Sequence, residues 1–210
     1  MLEAIEVAVL PFLESLYSRF GYAGVVMAMT IESAAIPLPS ELILPLAGWS
    51  VSRGLTEPLT GGVWSYWGAV AAGVIGNTAG SLVGYAIGAY GGRPFLERYG
   101  RYALVSAHDL ELADRWFDRY GEVTVFFSRM LPIVRTFISI PAGVSRMRLW
   151  RFILFSVLGA LPWVMLLVWG GVLLGDHWLE LKRALGGLDY VVAAGLVALV
   201  GIFVWRHLRR

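Results

Sequence analysis

VWSYWGAVAAGVIGNTAGSLVGYAIGAYGG, residues 63–92, runs for 30 positions without a charged side chain. A helix of that length outreaches the ~30 Å hydrocarbon core of a bilayer, which about 20 residues suffice to cross. FILFSVLGALPWVMLLVWGGVLLG, residues 152–175, adds a second uncharged run of 24. The two stretches predict transmembrane helices over 63–92 and 150–175. A third is expected over 188–205, because Tyr190–Trp205 is uncharged for 16 residues and ends on Arg206, His207, Arg209 and Arg210. The expected fold class is an all-α polytopic membrane protein, a single membrane domain spanning residues 1–210.

Composition agrees. Hydrophobic residues make up 58% of the chain and charged residues 15%, against roughly 25% charged in soluble domains. Nine Trp and nine Tyr suit the aromatic belts of a membrane protein; Trp64, Tyr66 and Trp67 open one span and Trp205 closes the last. A net charge of +2 does not favour nucleic acid as a partner. The absence of cysteine excludes disulfides and thiolate chemistry. His108, His177 and His207 are scattered and predict no metal site, and no cofactor motif is present. Glu3, Glu6 and Glu14 set the first 19 residues apart from a cleavable signal. Residues 1–19 read instead as a helix at the membrane interface.

Two other apolar regions are too short to cross. Phe20–Ile31 and Leu42–Ser52 are separated by Glu32, Pro37, Pro39 and Glu41, and each half reaches only about 17 Å. Residues 122–145 are similar, with Arg129, Pro132, Arg135 and Pro141 set among apolar neighbours. Proline breaks helices and charge resists lipid. The expectation is two re-entrant hairpins, 20–52 and 122–145, with Pro37, Pro39, Pro132 and Pro141 shaping their tips. Such backbone persists at depth only where protein or a water-filled cavity surrounds it. One hairpin ends Pro45-Leu-Ala-Gly48 before Arg53, the other Pro141-Ala-Gly143 before Arg146, and a long helix follows each. That layout predicts an inverted repeat with a site at its interface.

Lys and Arg counts set the expected topology. Arg93–Glu122, Arg146–Arg151 and the C-terminus together hold 11, against 3 on the other side (Arg53, Lys182 and Arg183). The excess predicts a cytoplasmic C-terminus and a cytoplasmic loop over 93–121; the side of the N-terminus stays open. Within that loop Leu110, Ala113, Trp116, Phe117 and Tyr120 recur at helical spacing behind an Asp109 capping signal.

Four ionisable groups point to chemistry: Glu32 and Glu41 in one hairpin, Arg129 and Arg135 in the other. Each would cost about 2.5–3.5 kcal/mol at the centre of a lipid-facing helix. They persist if they pair, meet water or hold a ligand. Mutual neutralisation is the plain reading. The sharper one has two guanidinium forks that suit a phosphate, and carboxylates that exchange protons. Gly73, Gly76, Gly80, Gly84 and Gly88 form a small-residue packing stripe, with Asn77 beside it as an interhelical hydrogen-bonding group.

At these positions a resemblance emerges. Glu32-Ser-Ala-Ala-Ile-Pro37-Leu-Pro39-Ser-Glu41 resembles the acidic first hairpin of the DedA family, also called the VTT or SNARE-associated domain. Phe127-Ser-Arg129-Met-Leu-Pro132-Ile-Val-Arg135, continuing to Pro141-Ala-Gly143 and Arg146, resembles its arginine signature, and Gly80–Gly88 with Gly92-Arg93-Pro94 resembles its glycine-rich helix and turn. Ser40 and Ser81 depart from the Gly and Asp that many members carry there. The resemblance implies a multi-pass protein of the bacterial inner membrane that moves a lipid phosphate, undecaprenyl phosphate or a phospholipid, between leaflets by a proton-coupled route. It assigns the substrate role to Arg129, Arg135, Glu32 and Glu41, and proton coupling to the two acids. The expected partner is the lipid, a homo-oligomer is compatible with it, and the chain is expected not to be an enzyme. The alternatives are an intramembrane lipid-pyrophosphate phosphatase, which Ser128 and Ser139 keep open although no base is placed beside either, and a proton-coupled ion or drug antiporter.

Overall fold

A computed structural model describes residues 2–34, 39–92, 107–131 and 134–177. The expected span over 188–205, the C-terminal charges, residues 93–106, Pro37 and Pro132 lie outside them. Every regular element among the described residues is helical: α1 Leu2–Ser33, α2 Ser40–Ser52, α3 Tyr66–Ala86, α4 Ala107–Ser128, α5 Val134–Phe137, α6 Ser139–Val144 and α7 Leu149–Leu174. A π-helical turn, Ile87–Gly92, extends α3.

The boundaries follow local chemistry. The first span starts at Tyr66, not Val63, because the Ser65 hydroxyl accepts from the Gly68 amide 3.1 Å away and caps the helix there. The second ends at Leu174, where Gly175 takes φ +49°. Residues 2–33 form one element with a kink at Gly21, φ +53°. The Glu57 carboxylate occupies the space a Cβ would need at that kink. It accepts from the amides of Tyr22 at 3.2 Å and Thr60 at 2.6 Å. In the second half no break separates the amphipathic segment from the hairpin arm: α4 passes through Gly121 and Glu122 without interruption. A lone Gly weakens a helix by about 1 kcal/mol and does not end it.

The two long helices run antiparallel. Tyr66, at the start of α3, donates to the Met165 carbonyl late in α7 at 3.1 Å, and Tyr85, near the end of α3, stacks on Phe152 at the start of α7 at 4.9 Å. Their contacts repeat across the chain. A Cβ added at Gly76 of α3 would lie 2.5 Å from the Val26 carbonyl oxygen, and one at Gly159 of α7 the same 2.5 Å from that of Phe126. Gly88 of α3 abuts the Ile140 carbonyl on α6, and Gly171 of α7 abuts that of Pro45 on α2. Gly48 of α2 meets Val168 and Val172, as Gly143 of α6 meets Tyr85 and Ala89. Each first arm thus packs on the long helix that follows it in sequence, and each second arm packs on the other half's long helix. A two-fold exchange of halves preserves this pattern, with its axis perpendicular to the antiparallel helices.

Both ends of each helix pair meet at the foot of the following long helix. Tyr22 Oη accepts from the Ser65 amide at 2.7 Å, and the Trp64 amide donates to the Leu55 carbonyl at 2.9 Å. In the other half Arg151 pairs with Glu122 at 2.6 Å. The outer faces of the long helices stay apolar: Ile75, Val83 and Ile87 on α3 and Leu158, Leu166 and Leu173 on α7 are exposed. Exposed apolar area on this scale suits hydrocarbon far better than water.

Candidate functional site

The breaks in the two helix pairs bring the predicted charges together. Glu32 lies at the end of α1, just before its break, and Glu41 in the first turn of α2, which begins after the extended residue Pro39. Arg129 follows the last turn of α4, and Arg135 sits in the short helix α5. Pro141 falls inside α6, after the break and not at it; as the third residue of that helix it gives up an amide that has no intrahelical partner.

Arg135 is the centre. Its Nη2 is 2.9 Å from Glu41 Oε1 and 3.5 Å from Glu32 Oε1, and it also donates to Ser40 Oγ. The indole of Trp163 on α7 lies under the guanidinium, 4.9 Å from ring centroid to Cζ. Arg129 does a different job. Its Nη1 donates to the Arg135 carbonyl at 2.6 Å, and its Nη2 to Ser139 and Ser156 Oγ at 3.1 and 3.0 Å. It thereby ties the backbone carrying Arg135 to α6 and α7, and its face rests on Phe152, 5.7 Å away.

Burial raises the stakes of this pairing. Arg129 is 1% exposed, Glu32 4% and Arg135 6%, while the Glu41 side chain keeps 24% of its surface open. The cluster holds two cations and two carboxylates, but only Arg135 pairs directly with the acids, while Arg129 is bonded to the Arg135 carbonyl. Buried ions of this kind persist only when paired and hydrogen-bonded. The second carboxylate is tied elsewhere as well, since Ser33 Oγ lies 2.8 Å from Glu32 Oε2 and 2.9 Å from Asn77 Oδ1. Several donors in this cluster have no acceptor among the described residues: Nε of Arg129 and Arg135, Nδ2 of Asn77 and Nε1 of Trp163. Surplus N–H groups invite an acceptor-rich guest, and a phosphate presents only acceptors once ionised.

Spacing alone could not locate Ser33, Ser156, Trp163 or Ser40 as members of this cluster. Trp163 and Ser156 sit within an uncharged run that reads only as a transmembrane helix. The small polar residue in an apolar helix was the available signal for Ser156. Among the described residues no group of three or more His, Cys, Asp or Glu stands where a metal ion could be held.

Comparisons with known proteins identify the family. The VTT domain family matches residues 53–173. Undecaprenyl phosphate transporter A of Bacillus subtilis is 38% identical over 188 residues, covering 90% of this chain and 88% of its own. Its Staphylococcus aureus namesake is 30% identical over 195 residues, covering 91% and 92%. The membrane protein YkoX of Bacillus subtilis is 38% identical over 205 residues, covering 97% and 85%. No solved structure shows a significant match. Long apolar helices with exposed apolar faces, a charged cluster at two helix breaks and relatives of this kind lead to one assignment: the chain is a membrane protein and a member of the VTT domain, or DedA, family.

Proposed function

We propose that the chain moves a lipid phosphate across the bilayer, with Arg135 as the group that takes the phosphate. The observation that carries this reading is the buried Arg135 guanidinium between Glu32 and Glu41, on the seam of two halves related by a two-fold exchange. The names of the Bacillus subtilis and Staphylococcus aureus relatives supply the substrate class, undecaprenyl phosphate.

In this reading the two helix pairs are re-entrant hairpins that enter from opposite faces, and their breaks meet at mid-membrane. The 93–121 loop and the C-terminus are cytoplasmic. Arg129 locks the loop that carries Arg135. A phosphate arriving at Arg135 competes with both carboxylates, so a proton taken up by either acid favours the lipid. Release of the proton on the opposite side restores the ion pair and expels the head group. Arg suits this exchange because its planar fork can move from two carboxylate oxygens to two phosphate oxygens without losing charge.

The test is transport of a fluorescent polyprenyl monophosphate in proteoliposomes under an imposed proton gradient. Gradient-dependent transport that disappears in Arg135→Gln is expected; equal transport by that variant would overturn the assignment. Lactococcus lactis relatives, 32% identical over 195 residues, bear the name alkaline phosphatase-like protein, so inorganic phosphate release is followed in the same vesicles. Transport without release is the expected result.

A further inference from the structure

Ser33 stands between two acceptors and has one proton to give. Its Oγ lies 2.8 Å from Glu32 Oε2 and 2.9 Å from Asn77 Oδ1, all three side chains being buried. A hydroxyl donates once and accepts up to twice. With Oε1 of Glu32 left to Arg135, the three groups can be satisfied together in two ways. With Glu32 ionised, Ser33 donates to the carboxylate and must accept from Asn77, whose NH2 end then faces it. With Glu32 protonated on Oε2, the carboxyl donates to Ser33, and Ser33 donates onward to Asn77 Oδ1. The second arrangement matches the amide as it stands, with Oδ1 toward Ser33 and Nδ2 free of any acceptor among the described residues. Passing between the two requires only reversal of an amide whose ends are almost the same size.

The geometry also separates the two oxygens of Glu32. Oε1 faces Arg135 at 3.5 Å, and Oε2 faces Ser33. A proton on Oε2 is held away from the guanidinium, so neutralising Glu32 loosens its hold on Arg135 without placing an O–H against a cation. The other charged groups of the cluster are accounted for. Glu41 of α2 bonds Arg135, and Arg129 at the end of α4 is committed to the Arg135 carbonyl, Ser139 and Ser156. The long helices α3 and α7 contribute Asn77, Ser156 and Trp163 to the cluster, and no charged side chain lies in their uncharged runs.

We infer that Ser33 and Asn77 are the positioning pair that seats the coupling proton on Glu32 Oε2, with reversal of the Asn77 amide completing the hydrogen-bond chain in each state. For its purpose this rests on the proton-coupled reading above; its substance rests on the Ser33 geometry alone. Neither residue is expected to exchange the proton itself.

The experiment uses the full chain in nanodiscs, with two readouts. Infrared difference spectra over pH 4–9 identify the protonated Glu32 carboxyl as the band missing in Glu32→Gln. That band should shift in Ser33→Ala and in Asn77→Leu and return to its place in Ser33→Thr, which restores the hydroxyl. Binding of farnesyl phosphate is measured over the same pH range. One linked proton changes affinity by up to tenfold per pH unit, and the probe's own ionisation cancels between variants. Ser33→Ala and Asn77→Leu should each flatten the protein's part of that dependence to less than about twofold per unit. A Glu32 band unmoved in both variants, or no Glu32 band at any pH, overturns the inference. Unaltered farnesyl phosphate binding in Arg135→Gln would instead defeat the phosphate reading and leave the infrared test standing. Should Asn77→Leu fail to fold, the Ser33→Ala and Ser33→Thr pair decides the question.

Discussion

Arg135 and Ser40 are counterparts in the two halves, and they touch: the guanidinium of one donates to the hydroxyl of the other. The register that pairs Gly48 with Gly143, and Pro45 with Ile140, also pairs Ser40 with Arg135. Equivalent residues meet only near the axis that relates them, so the charged cluster lies on the axis itself. A site there sees the same backbone frame from both halves but different side chains. The approximate symmetry permits two equivalent arrangements of the frame, and the side chains give the site its chemistry.

The two arginines should respond differently to the same conservative change. Arg135→Lys keeps a charge but loses the planar fork that suits a phosphate and the flat face that rests on Trp163. Transport in proteoliposomes is expected to fall at least tenfold with little change in thermal midpoint. Arg129→Lys breaks the bonds to Ser139 and Ser156, each worth about 1.5–3 kcal/mol for a charged donor, so its first effect should be a lower midpoint. Equal midpoints for the two variants would argue against this division of roles.

Substitutions at symmetry-related glycines should cost alike. Gly76→Ala and Gly159→Ala each set a methyl 2.5 Å from a carbonyl oxygen of the arm packed against it. Overpacking of this kind costs roughly 1–3 kcal/mol. Denaturation in detergent should show both losses within that range of one another. A large loss at one and none at the other would mean that the equivalence is only geometric.

Much of this arrangement was legible in the sequence, and its limits were physical. Absence of charge over 63–92 and 152–175 revealed the long helices, because a bilayer selects on length and charge alone. Glu32, Glu41, Arg129 and Arg135 stood out because ions are expensive among apolar neighbours. Which arginine meets which acid did not follow, since Arg135 and Glu41 are 94 residues apart and periodicity carries no information across that distance. Glu57 was invisible for another reason: in a polar loop a carboxylate is ordinary. Its role appears only once Gly21 is seen to open a gap that it fills.

Glu57 should make stability depend on acid. The Thr60 hydroxyl, chiefly, with the amides of Thr60, Tyr22 and Leu59, holds its carboxyl below the usual carboxylate range, against the opposing effect of burial. A depressed folded value means that the contribution is present above the unfolded value, about 4.3, and is lost as pH falls through the folded one. The thermal midpoint of the wild-type protein should therefore drop in that acid window. Glu57→Gln should lose about 1 kcal/mol at neutral pH and show a weaker acid drop. A variant curve parallel to the wild type at every pH would rule out Glu57 as the source.

Re-entrance can be decided by labelling. The ends of the first helix pair meet near Trp64 and Ser65, and the proposed topology has that segment return to the side it entered. Single cysteines at Phe20 and Ser52, in a chain that has none, should react with an impermeant maleimide from one side of the membrane. Reaction from opposite sides would make residues 20–52 a full crossing, and the paired-hairpin topology would fail with it.

Glu32 and Glu41 share one guanidinium, and that sharing sets the last expectation. Two carboxylates and one phosphate cannot all hold Arg135, so binding of the lipid requires that negative charge be withdrawn from the acids. Protonation does so reversibly, and replacement by glutamine does so permanently. Glu32→Gln and Glu41→Gln should each bind a polyprenyl monophosphate at least as tightly as the wild type at neutral pH, because a competitor has been removed. Each should also lose pH dependence in transport, because the group that read the proton is gone. The two need not be equal. Glu32 is enclosed and tied to Ser33, whereas Glu41 keeps a quarter of its surface open, so the larger loss of coupling is expected in Glu32→Gln. Weaker lipid binding in both variants would mean that the carboxylates hold the substrate directly instead of competing with it, and the exchange at Arg135 would have to be abandoned.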